Sequence, residues 1–154
     1  MHNLKEPLHL LVENGKGDQM TTVLNKVASY LTGLSATNVI CVALGTTLRL
    51  ASTLFLGQES NKTNDTVTLL SYGGSPPDSS GQKYMSAVQI RVKTDSIQTG
   101  LNTQQAFIRQ LHMNSLGGRG LTTSVNSAPI SVGTTEGGEK SIFVTNYYIK
   151  HIKI

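Results

Sequence analysis

The side chains best suited to metal binding or nucleophilic attack are few. There are four histidines, His2, His9, His112 and His151, and one cysteine, Cys41. Their separations match no zinc-ligand spacing, alone or combined. A single cysteine makes no internal disulfide, and Cys41 lies in the apolar run Val39-Ile40-Cys41-Val42, where it reads as a small packed hydrophobe. His112 falls near a helix end, where a cation suits the dipole. Gly117-Gly118-Arg119-Gly120 follows a helix instead of opening one, so it reads as a turn and not a phosphate cradle. The chain carries no Gly-x-x-x-x-Gly-Lys-Ser/Thr loop and no Gly-x-Ser-x-Gly elbow. Of nine carboxylates, only Glu6 and Glu13 fall in a possible helix body, and neither has an evident carboxylate partner. This inventory names no catalytic residue, no cofactor site and no metal site, and it points away from an enzyme.

Binding chemistry is left. Gln89, Arg91 and Lys93 alternate with Val88, Ile90 and Val92 in the run Tyr84–Lys93. In a strand the two sets point to opposite faces, one packed on a core and one meeting water or a partner. A half-exposed sheet produces such a polar row anyway, so a solvated face and a contact surface weigh about equally here.

The elements that position this row come next. Met20, Val23, Leu24, Val27, Ala28 and Leu31 step by three and four, which predicts a helix over Asp18–Thr32, capped by Asp18 and ended by Gly33. Asn102-Thr103-Gln104-Gln105 reads as a capping box, and with Phe107, Ile108 and Leu111 it predicts a helix over Asn102–Ser115, stopped by Gly117-Gly118. Val67–Tyr72, Tyr84–Lys93 and Ile142–Ile152 are predicted strands. Residues 38–56 are apolar and β-branched and predict two further strands turned at Gly45. Thr122–Val125 and Ile130–Val132 predict two weak strands, with Thr134 to Lys140 as a hairpin tip at Gly137-Gly138. Gly73 to Gly81 stacks glycine and proline and reads as a long exposed loop. Residues 3–15 stay open between a short helix and a strand, with the helix favoured by Asn3, Glu6 and Pro7.

These elements give an α+β fold: a mostly antiparallel β-sheet with two main α-helices on one face and long polar loops. At 154 residues the chain predicts a single domain over 1–154, with residues 1–17 as a possible N-terminal arm or short helix. Charged residues make up only 14%, a mix suited to β-rich proteins that pack surface on surface. The net charge of +4 is lopsided: residues 1–83 hold six Lys/Arg and six Asp/Glu, and residues 84–154 hold seven and three. The cations are scattered with few aromatics between them, which disfavours direct nucleic-acid binding. No signal peptide or membrane-length apolar run is evident, which predicts a soluble protein made in a cytoplasm.

Several of these runs, in order and spacing, resemble one family. They are Leu54-Phe55-Leu56-Gly57, Val67 to Pro76, Ala87 to Lys93, the helix ending Ile108-Arg109-Gln110-Leu111-His112, and Phe143-Val144-Thr145-Asn146-Tyr147. Over about residues 50–150 the chain resembles the tail terminator (minor capsid, or tail-completion) proteins of long-tailed bacteriophages. The resemblance implies a structural virion protein located in the tail or neck and made in the host cytoplasm. It further implies a hexameric homo-oligomer that stacks on the tail tube protein, stops tube growth and presents a surface to the head–tail connector, with DNA passing through the lumen without specific binding. No cofactor and no membrane are implied. In such a ring a sheet face without helices looks at a neighbouring subunit or into the lumen. The favoured contact then places Arg91 and Lys93, beside Gln89, against a carboxylate of the next chain, with Asp78, Glu136 and Glu139 as loop candidates. Another neck or tail structural protein, such as a head-completion or baseplate component, is the alternative, and a small enzyme or nucleic-acid-binding module is the lesser one.

Overall fold

The computed structural model describes residues 18–58, 64–75, 83–117, 120–135 and 140–152. The described elements are helix α1 (Asp18–Thr32), helix α2 (Val39–Leu44), strands β1 (Leu54–Leu56), β2 (Thr66–Ser75) and β3 (Lys83–Thr94), helix α3 (Ile97–Leu111), and strands β4 (Leu121–Val125), β5 (Ile130–Thr134) and β6 (Ser141–Ile152). The six strands form one mixed sheet in the order β1-β2-β3-β6-β4, with β5 also paired to β6. Only β1 and β2 run parallel; every other pair is antiparallel. The expected α+β architecture is therefore present.

All described helices share one sheet face. Val67, Leu69, Val88, Ile90, Val92, Tyr147 and Ile149 point from the strands into one buried cluster with Val23, Leu24, Val27 and Leu31 of α1 and Phe107 and Leu111 of α3. The alternation read in Tyr84–Lys93 is the cause: every second residue of β3 meets the helices. Each large apolar side chain fully buried here contributes roughly 1.5–3 kcal/mol relative to exposure. A polar tie crosses the same layer: the Gln104 side chain, fully buried on α3, donates to the Ile90 carbonyl at 3.0 Å and the Phe143 carbonyl at 2.8 Å. Tyr30, Gln110 and Asn38 link the three helices through side-chain bonds of 2.5 and 3.2 Å.

The structure corrects three expectations. Val39–Leu44 is a helix, not a strand. The Asn38 side chain accepts from the Ile40 amide at 2.9 Å, Gly45 caps the other end at φ 90°, and Ile40, Cys41 and Leu44 form the buried stripe. Packing on α3 overrides the β preference of the branched residues. The second helix begins at Ile97 and stops at Leu111, with Ser96 as N-cap accepting from the Thr99 amide at 3.2 Å. Asn102 is thus mid-helix, where its Oδ1 accepts from Gln98 at 2.9 Å instead of capping. The chain leaves the helix through Met113 and Leu116, both at positive φ, before Gly117. Third, β2 runs on through Gly73 and Gly74 to Ser75, because a bulge between Ser71 and Gly74 carries the pairing with β3 past them. Asp18 is the first residue of α1, and the possible helix in residues 3–15 and the tip at Gly137-Gly138 lie outside the described residues.

Candidate functional site

Among the described residues no helix packs on the second face of the sheet, and that face carries the polar row. Register places Thr66, Thr68 and Leu70 of β2 beside Lys93, Arg91 and Gln89 of β3, and Ile142, Val144 and Asn146 of β6 on their other side. The guanidinium of Arg91 donates through Nη1 to Gln89 Oε1 at 3.3 Å, and Gln89 Nε2 donates to Asn146 Oδ1 at 3.1 Å. Arg91 and Gln89 are half-buried in this network. Lys93 is only 4% exposed, so within the single chain it is a buried cation and the accessible part of the row is Gln89 and Arg91. Farther along β6, exposed Tyr148 and Lys150 continue the same face. Among the described residues this face carries Arg91, Lys93 and Lys150 and no carboxylate. Asp78, Glu136 and Glu139, the carboxylates expected to answer Arg91 from a neighbouring chain, lie outside the described residues.

A different ion cluster sits at one end of the sheet, and sequence reasoning missed it. Lys140 Nζ lies 2.9 Å from Asp65 and 2.7 Å from Asp95, and the Asp95 amide donates to Asp65 at 3.2 Å. The cluster pins the start of β6 to the loops before β2 and after β3. Desolvation pulls the Lys140 ammonium down, but Asp95 and Asp65 together outweigh it and the net shift is upward. Nothing local in the sequence announces it, because the partners lie 45 and 75 residues from Lys140.

The remaining reactive side chains among the described residues have structural settings. Ser86 Oγ and His151 Nε2 are 2.9 Å apart, and the Tyr84 ring stacks on His151 with centroids 5.4 Å apart. Ser86 is 7% and His151 5% exposed, so this Ser–His contact is cross-strand packing closed to a substrate carbonyl. Burial raises the Cys41 thiol, against a smaller lowering by the Leu48 backbone, which keeps it a poor nucleophile. Burial likewise pushes the Tyr147 hydroxyl up. His112 accepts the Val125 amide at Nδ1, 3.1 Å away, tying the exit of α3 to β4. Among the described residues no three His, Cys, Asp or Glu side chains converge as metal ligands, and no helix is long and apolar enough to cross a membrane.

The described geometry thus offers surfaces for protein contact: the accessible part of the second sheet face around Gln89, Arg91, Tyr148 and Lys150, an exposed edge strand β5, and a groove between α2 and α3 lined by Thr37, Val39, Val42, Ala43, Asn102, Gln105, Ala106 and Arg109. No curated protein matches the chain significantly. Among protein families, residues 21–150 match the bacteriophage tail terminator proteins, a span that takes in α2, α3, all but the first three residues of α1, and nearly all of the sheet. The chain belongs to the bacteriophage tail terminator family and is a structural protein of the phage tail.

Proposed function

We propose that this protein acts as a ring of six identical subunits that caps the tail tube, stops its polymerisation and provides the docking surface for the head–tail connector. The ring turns over no substrate, and DNA passes through its lumen without being held. The chain works as one unit over residues 1–154, with residues 1–17 serving as an N-terminal arm or a short helix. The family match over residues 21–150 carries this reading. The surface chemistry is consistent with it: a cap must bind protein on several sides, and a face of half-buried amides and cations suits contact better than catalysis.

Within the ring, the sheet face that bears Arg91 meets a neighbouring subunit. Arg91, oriented by Gln89, donates through its planar fork to a carboxylate of the next chain, with Asp78, Glu136 and Glu139 as the candidates and Lys93 reinforcing the local positive potential. Ring closure requires a heterologous interface, because an isologous one stops at a dimer. The test is a phage lacking this protein. Tails of uncontrolled length, returned to normal length by supplying the protein in trans, are the expected result. Tails of normal length in its absence would overturn the capping role.

A further inference from the structure

The sheet closes its edges unequally. At β1 the outward backbone of Leu54 is covered: its N–H donates to Arg49 and its carbonyl accepts from Ala51, both at 2.9 Å. At β4 the outward groups of Thr123 exchange bonds with Met113 and Asn114 at 2.7 and 3.0 Å. Among the described residues nothing covers the outer edge of β5 in this way. An uncovered edge on a soluble protein is ordinarily guarded by charge. Here residues 120–135 contain no Asp, Glu, Lys or Arg at all. All five β5 residues are exposed, with Ile130 at 47% and Val132 at 49%. The strand adds no side chain to the core and presents two aliphatic ones to solvent.

The same chain carries a concave surface that fits such a strand. The groove between α2 and α3 has a volume of about 570 Å³. Its apolar lining is Val39, Val42, Ala43 and Ala106, with Val42 65% exposed. Asn102, Gln105 and Arg109 line its polar side. Their amide and guanidinium N–H groups are donors matched to the unpaired carbonyls of a strand edge. The β5 bulge distinguishes this seat from strand-to-strand pairing. Val132 is the extra residue between Ser131 and Gly133, and a bulge interrupts a continuous ladder on its strand while re-aiming one side chain. Such an edge is better received by side chains than by another strand.

We propose that β5 of one subunit seats in the α2/α3 groove of the next, with Ile130 and Val132 against Val39 and Val42, and Gln105 and Arg109 bonding the strand edge. This rests on the ring reading above and supplies it with a head-to-tail contact, because ridge and groove belong to different elements of one chain.

Pairing cysteines test it. The variant carrying both Val42→Cys and Val132→Cys, mildly oxidised, should give a ladder of disulfide-linked chains on a non-reducing gel. Each single variant should stay uncrosslinked, since native Cys41 is buried. Mixing the two single variants should give linked dimers and nothing longer. Val132→Lys alone should melt with the parent, since the side chain is half exposed, yet lose ring formation. Rings that form without any 42–132 crosslink would overturn this contact and leave the ring standing. Dimers from Val132→Cys alone would mean β5 pairs with β5 and would also overturn it. Assembly of Val132→Lys rings that then fail only on tails would assign β5 to the tube protein instead. Absence of any oligomer, free or on tails, would overturn both the contact and the ring.

Discussion

Gly100 lies within α3 against the ring of Phe143, and the pair makes a prediction whose sign reverses. An alanine Cβ at position 100 would stand 2.5 Å from Phe143 Cδ1, 2.6 Å from Cε1 and 3.0 Å from Thr94 Oγ1. Carbon atoms rest about 3.5–4.0 Å apart, so the ring must retreat by about 1 Å. Phe143 is 3% exposed, and overpacking of this kind costs about 1–3 kcal/mol. Against that, alanine in a helix interior is favoured over glycine by about 1 kcal/mol. The net expectation for Gly100→Ala in the parent is a loss of about 1 kcal/mol, or about 2–4 °C in Tm for a domain of this size. In a Phe143→Leu background the steric cost disappears and the helix term remains, so the same substitution should stabilise by about 1 kcal/mol. Urea unfolding of the four proteins of this cycle measures both values. Stabilisation by Gly100→Ala in the parent would show that the Phe143 ring does not rest on this glycine.

Three other outcomes follow from the same structure. Leu24→Asp places a charge at a position 6% exposed in the core and should unfold the protein, read as loss of the cooperative melting transition; a parent-like melt would remove α1 from the core. Lys140 has its pKa raised in the fold, so its stabilisation is complete below the unfolded lysine value of about 10.4 and is lost as pH rises through the higher folded value. Stability should therefore fall above that pH and fall less in Lys140→Met, with the buried Tyr147 hydroxyl, also raised, supplying the remaining slope; an unchanged slope in Lys140→Met would contradict the cluster. Arg91→Glu should leave the monomer's melt intact and abolish rings, since removing one partner of a desolvated charge pair costs about 2–5 kcal/mol; normal rings and normal tail lengths in that variant would reduce the row to a solvated face.

What the sequence disclosed depended on whether burial was periodic along one segment. Val23, Leu24, Val27, Ala28 and Leu31 repeat at helical spacing and are all buried, so α1 was legible to the residue. Val88, Ile90 and Val92 repeat at strand spacing, and β3 was legible within one residue at either end. The first turn of α3 was not, because Ile97 is 61% exposed and Leu101 36% exposed, and Gly100 is accepted there only for the ring it receives. Helix α2 was hidden by β-branched residues, although Asn38 and Gly45 bracket it with the residue types of an N-cap and a left-handed C-cap. The contact row was legible as a row, but its division was not: only the packed sheet separates half-buried Arg91 from nearly buried Lys93. The Lys140 cluster joins three loops distant in sequence and leaves no local pattern at all.

The central claim is a ring of this one chain at the end of the tail tube. Counting the subunits decides it most directly, by mass photometry or analytical ultracentrifugation of the purified protein at assembly concentration, and by stoichiometry on isolated tails. Six copies per ring, with one ring per tail, is the predicted result. A protein that stays monomeric in solution and on intact tails would contradict the account.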